Sequence, residues 1–293
     1  MSPTRDAKEP DERDLLWGHL SGGGGNFGIV TKFLFRDLPA APEEVQILTH
    51  AWDWNTLDRS AFGSLITAYG TFLEENSAVG SPYSGLFALL HLSQKVAGQI
   101  VLTTQYTGPD LSLITEFARV VGAGLPQPQP KRVAVGHQHP AVDTTDVRKM
   151  PWLFATQTLN GSGPNQRGKY KSAYMLTAFP DDQIEAMWQN LTAPSHANPQ
   201  ALVQIDSYGC QVNAVDSAAT AVPQRSSIMK LQYQTYWTDP ADDDVNLEWI
   251  RTFYTAMYGE RGPVPDKVVD GCYVNYPDAD LEDWQHLYYK DNY

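Results

Sequence analysis

Apolar side chains return every three or four positions across residues 58–76, where Leu57, Phe62, Leu65, Ile66, Tyr69 and Phe72 share one side. That spacing predicts an amphipathic helix. The same period predicts helices over residues 111–121, closed by Gly122 and Gly124, and over residues 180–191, with Asp181 or Asp182 as N-cap. Residues 243–258 repeat it with Leu247, Ile250, Phe253, Tyr254 and Met257, and residues 15–20 and 284–289 also have a helical look. A period of two, or a short apolar run, predicts strands at residues 29–35, 86–92, 98–106, 172–178, 202–208 and 228–237. Pro39 and Pro42 punctuate the chain, and the Pro126–Pro130 segment reads as a rigid connector rather than a domain boundary. Strands follow strands without strict alternation with helices. The expected fold class is therefore α+β, an antiparallel sheet covered by helices.

Composition narrows the function. The chain has 293 residues, 42% of them hydrophobic and 19% charged, which is the make-up of a folding sequence. Its formal net charge is -13, from 34 acidic against 21 basic residues, so a nucleic-acid partner is not expected. No apolar run approaches the roughly 18 residues of a membrane span. Two cysteines, Cys210 and Cys272, are too few for a disulfide framework or a zinc site. Residues 1–13 are crowded with charge, read as a solvated arm and lack the apolar core of a signal peptide.

Several weaker signals point to no chemistry. His137 and His139 form a close pair without further ligands, and Asp242, Asp243 and Asp244 read as the acidic start of a helix rather than a calcium site. Ser172 and Ser207 lack a nucleophile-elbow context. The sequons at Asn160 and Asn190 matter only in a secreted chain. The eight Trp, 15 Tyr and 10 Phe residues suit either a large core or a pocket for a sugar or polyphenol.

The most informative stretch is Ser21-Gly22-Gly23-Gly24-Gly25-Asn26-Phe27-Gly28-Ile29-Val30. Gly23, Gly25 and Gly28 satisfy G-x-G-x-x-G, but the dinucleotide fingerprint needs a strand before it and a helix after it. Here a helical segment precedes and an apolar strand is expected to follow, so that reading fails. Two roles remain. Consecutive glycines let a planar ligand lie against bare main chain with its N–H groups free, or they make a packing turn. The ligand role is favoured, because no other stretch exposes so much unprotected backbone.

These residues, with Asp14-Leu15-Leu16-Trp17 before them, resemble the end of the FAD-binding domain of berberine-bridge-enzyme-like flavin oxidases. A second match is independent. Gly271-Cys272-Tyr273-Val274-Asn275-Tyr276-Pro277-Asp278 is similar to the Tyr-x-Asn-Tyr segment with which that family's chain re-enters the flavin site. Residues 169–174, Asp206-Ser207-Tyr208-Gly209, residues 220–225 and Gln232-Tyr233 resemble its substrate domain.

The resemblance implies residues 1–38 as the end of an α+β FAD-binding domain, 39–270 as a substrate domain and 271–293 as the return segment. It also implies that the longer N-terminal part of the family's flavin domain lies outside this chain. The implied flavin contacts are Gly23, Gly24, Gly25, Asn26, Phe27, Gly28, Ile29, Val30, Asn275 and Tyr276, with Tyr273 as the base. The implied activity is FAD-dependent oxidation, as oxidase or dehydrogenase, of an alcohol, sugar or polyketide-type substrate, with hydride passing to the flavin. Core tyrosines on a strand remain the alternative reading of these residues, and a free phenol, with a pKa of about 10, needs a nearby positive charge or hydrogen-bond donor to act as base. In an extended segment Tyr273 and Asn275 would point one way and Tyr276 the other. A catalytically silent ligand-binding domain is the competing function.

Overall fold

The computed structural model describes residues 10–130, 145–159 and 166–293. The His137 and His139 pair and the Asn160 sequon lie outside them. One seven-stranded antiparallel sheet organises the chain, in the spatial order β4-β1-β3-β2-β6-β7-β5. Its strands are β1 (Glu44–Asp53), β2 (Leu86–Ser93), β3 (Gln99–Tyr106), β4 (Arg148–Pro151), β5 (Arg167–Met175), β6 (Leu202–Ser207) and β7 (Met229–Trp237). The helices are α1 (Pro10–His19), α2 (Arg59–Asn76), α3 (Leu111–Val121), α4 (Trp152–Leu159), α5 (Asp181–Thr192), α6 (Asp243–Tyr258) and α7 (Trp284–Tyr289). The expected α+β class holds. Among the described residues no helix is long and apolar enough to cross a membrane.

The apolar faces predicted from spacing are the faces that are buried. On α2, Phe62, Leu65, Ile66, Tyr69, Phe72 and Leu73 enter the core, and Asp58 caps the first turn by accepting from the Ala61 N–H at 2.8 Å. The Tyr69 hydroxyl, fully buried, is shared between the carbonyls of Ala88 (3.2 Å) and Ile205 (3.0 Å). It thereby pins α2 across β2 and β6. Helix α3 buries Ile114, Phe117, Ala118 and Val121, and α6 buries Trp249, Ile250, Phe253, Tyr254 and Met257. The acidic triplet sits where expected, with Asp242 at the N-cap of α6 and Asp243 and Asp244 in its first turn. The second sequon residue, Asn190, lies within α5 and donates its side-chain amide to the Ala186 carbonyl at 2.8 Å.

Five expectations need correction. Residues 29–35 are not a strand: no described strand pairs with them, and Ile29 and Leu34 stand 95% and 83% exposed. Extended backbone with β-branched residues becomes a strand only when a ladder receives it. The N-cap of α5 is Pro180, not Asp181 or Asp182, which occupy the first turn. Strand β5 begins at Arg167 rather than Ser172 and ends at Met175 rather than at residue 178, because Lys169 and Lys171 are strand residues neutralised by tertiary partners. The last residues of the charged arm already belong to α1. Strand β1 had no counterpart in the pattern, since Gln46, Thr49 and His50 break its apolar run although it is buried on both faces.

Strand register gives the sheet two unlike faces. On β7, Met229, Leu231, Tyr233, Thr235 and Trp237 turn towards the helices, while Lys230, Gln232, Gln234 and Tyr236 turn the other way. The pairs Tyr174↔Lys230 and Asp206↔Lys230 place Tyr174 and Asp206 on that second, polar face. Phe62, fully buried between the rings of Trp54 (5.6 Å) and Trp188 (5.5 Å), tests the helix side. Phe62→Ala should lower unfolding free energy by about 3–5 kcal/mol, read as a drop in the urea midpoint at unchanged slope.

Candidate functional site

β5 is an edge strand, and the chain covers its edge with its own later residues. Tyr174 N–H donates to the Gly271 carbonyl (2.9 Å), Asp270 N–H to the Tyr174 carbonyl (2.9 Å), and Leu176 N–H to the Val268 carbonyl (2.7 Å). Gly271 has φ +86°, and a Cβ there would lie 2.3 Å from the Leu287 carbonyl oxygen, so only glycine fits between β5 and α7. Beyond it, Tyr273 N–H donates to Ser172 Oγ at 2.9 Å.

Five charges lock this return segment. Asp278 accepts from Lys169 Nζ (2.5 Å) and Lys171 Nζ (2.6 Å), and its side chain is 2% exposed. Asp280 lies 3.2 and 3.0 Å from the same two ammonium groups and 2.9 Å from Arg251. The hydrogen bond from Arg251 comes first, and with Lys171 and Lys169 it outweighs partial burial and holds the Asp280 carboxyl well below the usual carboxylate range.

The Tyr-x-Asn-Tyr residues are not extended, which corrects the alternation expected for them. Tyr276 N–H donates to the Tyr273 carbonyl at 3.0 Å, a tight turn that brings the two phenol rings to 4.9 Å at 82°. Asn275 still meets Tyr273, as its Nδ2 donates to Tyr273 Oη at 2.8 Å. Its Oδ1 accepts from the Gly24 N–H at 3.2 Å, so one amide joins the two segments that the sequence singles out, 251 positions apart. The Tyr289 hydroxyl donates to the Gly22 carbonyl at 2.8 Å and adds a second tie.

The glycine segment leaves α1 and divides in two. Gly23 is half-buried at φ +103°, where a Cβ would lie 2.5 Å from Asn26 Nδ2 and 3.3 Å from Val274. Asn26 donates back to the Gly22 carbonyl at 3.4 Å, and the Phe27 ring folds back on His19 at 5.6 Å. Gly23 and Gly24 therefore meet the tyrosine turn. Gly24, Gly25 and Gly28 have nothing within 4 Å of where a Cβ would stand, and Ile29 and Val30 face solvent beside them. That open strip of main chain suits a planar ring, so the residues present fit the family's cofactor.

The sequence left open which positive charge or hydrogen-bond donor stands beside Tyr273, and the fold places Lys230 there as well as the Asn275 amide. Lys230 Nζ lies 5.0 Å from the Tyr273 ring centre and 5.4 Å from that of Tyr276, and 2.8 Å from Asp206. Burial opposes its charge, but Asp206 and the two tyrosines outweigh that and raise its pKa above the ordinary lysine value. Burial likewise pushes the Tyr276 phenol up, against the pull of Lys230. Tyr170 stacks on Tyr276 at 6.2 Å and 19°, and its hydroxyl meets that of Tyr236 at 2.5 Å. Tyr174 adds an edge contact to Tyr273 at 6.1 Å. Lys230, Tyr170 and Tyr236 were not singled out as site residues. The polar half of the alternation in residues 228–237 was the signal that could have found Lys230 and Tyr236; Tyr170, on β5, had no such signal.

An antiparallel sheet that turns His91, Gln204 and Lys230 to one face, beside a tyrosine turn and bare glycine backbone, defines the candidate site. The berberine and berberine-like family model matches residues 272–293, the segment that holds this turn. The chain is 37% identical to hexose oxidase of Chondrus crispus over 95% of its own length and 56% of that protein's. It is 36% identical to aclacinomycin-N/aclacinomycin-A oxidase of Streptomyces galilaeus, over 98% of its length and 54% of that protein's. Among solved structures it matches the oxidoreductase GilR in complex with pregilvocarcin with TM-score 0.87 at 30% identity, covering 98% of this chain and 61% of that one. Aclacinomycin oxidoreductase matches with TM-score 0.83 at 35% identity, covering 98% and 60%. Over nearly its whole length the chain is homologous to berberine-bridge-enzyme-like FAD-linked oxidoreductases, and it spans little more than half the length of these relatives.

The charge lock has a pH signature. Asp280 has a lowered pKa in the folded chain, so its contribution is complete above the unfolded carboxylate value of about 3.9 and is lost as pH falls through the folded value. Melting temperature should therefore fall on acidification below about pH 4, and Asp280→Asn should flatten that fall while lowering the neutral-pH melting temperature.

Proposed function

We propose that this chain forms the substrate-side wall and part of the flavin-facing surface of an FAD-dependent oxidase or dehydrogenase acting on an alcohol or sugar hydroxyl. The observation that carries the reading is the Tyr273–Asn275–Gly24 linkage with Lys230 beside the phenol rings. In this reading residues 1–38 and 271–293 are flavin-facing strips, and residues 39–270 bind substrate. The relatives' names support the substrate class: a hexose oxidase, an aclacinomycin oxidase, and a glycopeptide hexose oxidase complexed with teicoplanin. A sugar or a glycosylated polyketide-type molecule suits a wall of phenols and amides, which stack on ring faces and bond hydroxyls.

FAD, when bound, supplies the acceptor for the two electrons and hydrogen removed from the substrate carbon. The chain's own residues do the rest. Main chain at Gly23, Gly24, Gly25, Gly28, Ile29 and Val30 would flank the ring, with Asn26 and Phe27 shaping the turn that presents it. Asn275 and Tyr276 would border the same ring. Tyr273 Oη takes the substrate hydroxyl proton. For that step Oη enters as the phenolate and leaves as the neutral phenol, and before the transfer the Asn275 amide donates to that oxygen while the Lys230 ammonium faces the ring. Tyr276, kept protonated by burial, remains a hydrogen-bond donor at neutral pH.

The purified chain should take up added FAD, with the flavin absorbance bands shifted from those of free FAD. A colourless protein that binds none would sink the flavin reading for this chain and leave a ligand-binding domain. In the FAD-loaded protein, Tyr273→Phe should slow flavin reduction by substrate by about 10²-fold or more, with FAD affinity little changed. Equal loss of both would remove the base assignment.

A further inference from the structure

Lys230 is the end of a line of side chains that crosses three strands of the polar face. His91 on β2 lies opposite Gln204 on β6, and its Nε2 is 2.9 Å from Gln204 Oε1. Gln204 Nε2 donates to Asp206 Oδ1 at 2.7 Å. Asp206 Oδ2 lies 2.8 Å from Lys230 Nζ, and the two residues are register partners on β6 and β7. Each member has one orientation that satisfies its neighbours. Since the Gln204 amide donates to a carboxylate, its oxygen faces His91, which must then present Nε2–H. The Asp206 carboxylate, 5% exposed, keeps one oxygen for Gln204 and one for Lys230.

We propose that His91, Gln204 and Asp206 are positioning residues that hold the Lys230 ammonium over the Tyr273 and Tyr276 rings, and so set the electrostatics of the proposed base. The proposal rests on the oxidation reading for its purpose, but its geometry stands apart from flavin. The line is no proton wire, because an amide passes no proton without tautomerising. Its effect is steric and electrostatic. Without the Gln204 donor, Asp206 Oδ1 is buried and unpaired, and the carboxylate turns both oxygens towards Lys230. The ammonium is then drawn along β6 and away from the rings. Loss of His91 leaves Gln204 Oε1 without its donor, so the side chain is no longer held from both ends and swings its Nε2 off Asp206 Oδ1, which gives the same displacement.

The test uses the full chain with lysines carbon-13 labelled at Cε. Ring currents of Tyr273 and Tyr276 should shift the Lys230 ε-methylene protons upfield from those of the lysines that face no ring; Lys171, 4.7 Å from the Tyr254 ring centre, gives a second shifted resonance, and Lys230→Met tells the two apart by which one disappears. Gln204→Leu and His91→Phe should each move the resonance at least half-way back to the others. His91→Gln, which keeps an N–H donor on a chain of similar reach, should leave it near its original place. Melting temperature checks that each variant is folded; a folded Gln204→Leu decides the role of Gln204, and a folded His91→Phe that of His91. An unmoved resonance in Gln204→Leu and His91→Phe overturns the proposal, and so does equal displacement in His91→Gln and His91→Phe.

In the FAD-loaded protein, Gln204→Leu should also slow flavin reduction by about tenfold, as expected when a reacting geometry is displaced. A moved resonance with an unchanged rate would sever the line from the reaction and overturn the proposal. If Tyr273→Phe left the rate intact, the oxidation reading would fall, and the resonance would still decide whether the line positions Lys230.

Discussion

The arrangement at this site depends on a carboxylate held in a nearly dry position between two lysines of an edge strand. Asp278 draws residues 268–280 across the open side of β5, and Lys169 and Lys171 can occupy that strand because Asp278 and Asp280 receive them. Three cations, counting Arg251, face two anions. Loss of Asp278 would leave the buried Lys171 ammonium sharing one carboxylate with two other cations, which costs more than the intact pairs contribute. The lock therefore fixes where the segment lies more than it adds to stability.

Everything nearer the chemistry follows from that position. With the return segment fixed against β5, Gly271 passes beneath Leu287, Tyr273 reaches Ser172, and the turn at residues 273–276 tips two phenols over β7. The sheet register then delivers Lys230 to the rings. Asn275 completes the link by spending its two amide ends on different partners, Tyr273 and the backbone of Gly24. Gly24 is thereby fixed on one side and bare on the other, which is what a ring-binding main chain requires.

The two faces of the sheet divide the labour. Aromatic packing around Phe62, Trp54, Trp188, Tyr69 and Phe117 makes the helix side rigid. The polar face carries amides, hydroxyls and one ion pair in register, so its groups are displayed at the fixed spacing of strands rather than on mobile loops.

The sequence by itself determined the helices whose apolar period matches a buried stripe, the α+β class, and the two segments that meet at Gly24 and Asn275. These are local properties: a spacing of three and four, a run of glycines, a short motif. The tertiary structure alone decided that residues 29–35 form no strand, since a ladder needs a partner, and that Arg167–Lys171 do, since charges in a strand need theirs. It decided likewise that Tyr273–Tyr276 turn back on themselves, and that Lys230, Asp206, Gln204 and His91 stand in line. Those relations are set by register across strands far apart in the chain, and the energy of a charge depends on what faces it, which no window of sequence contains.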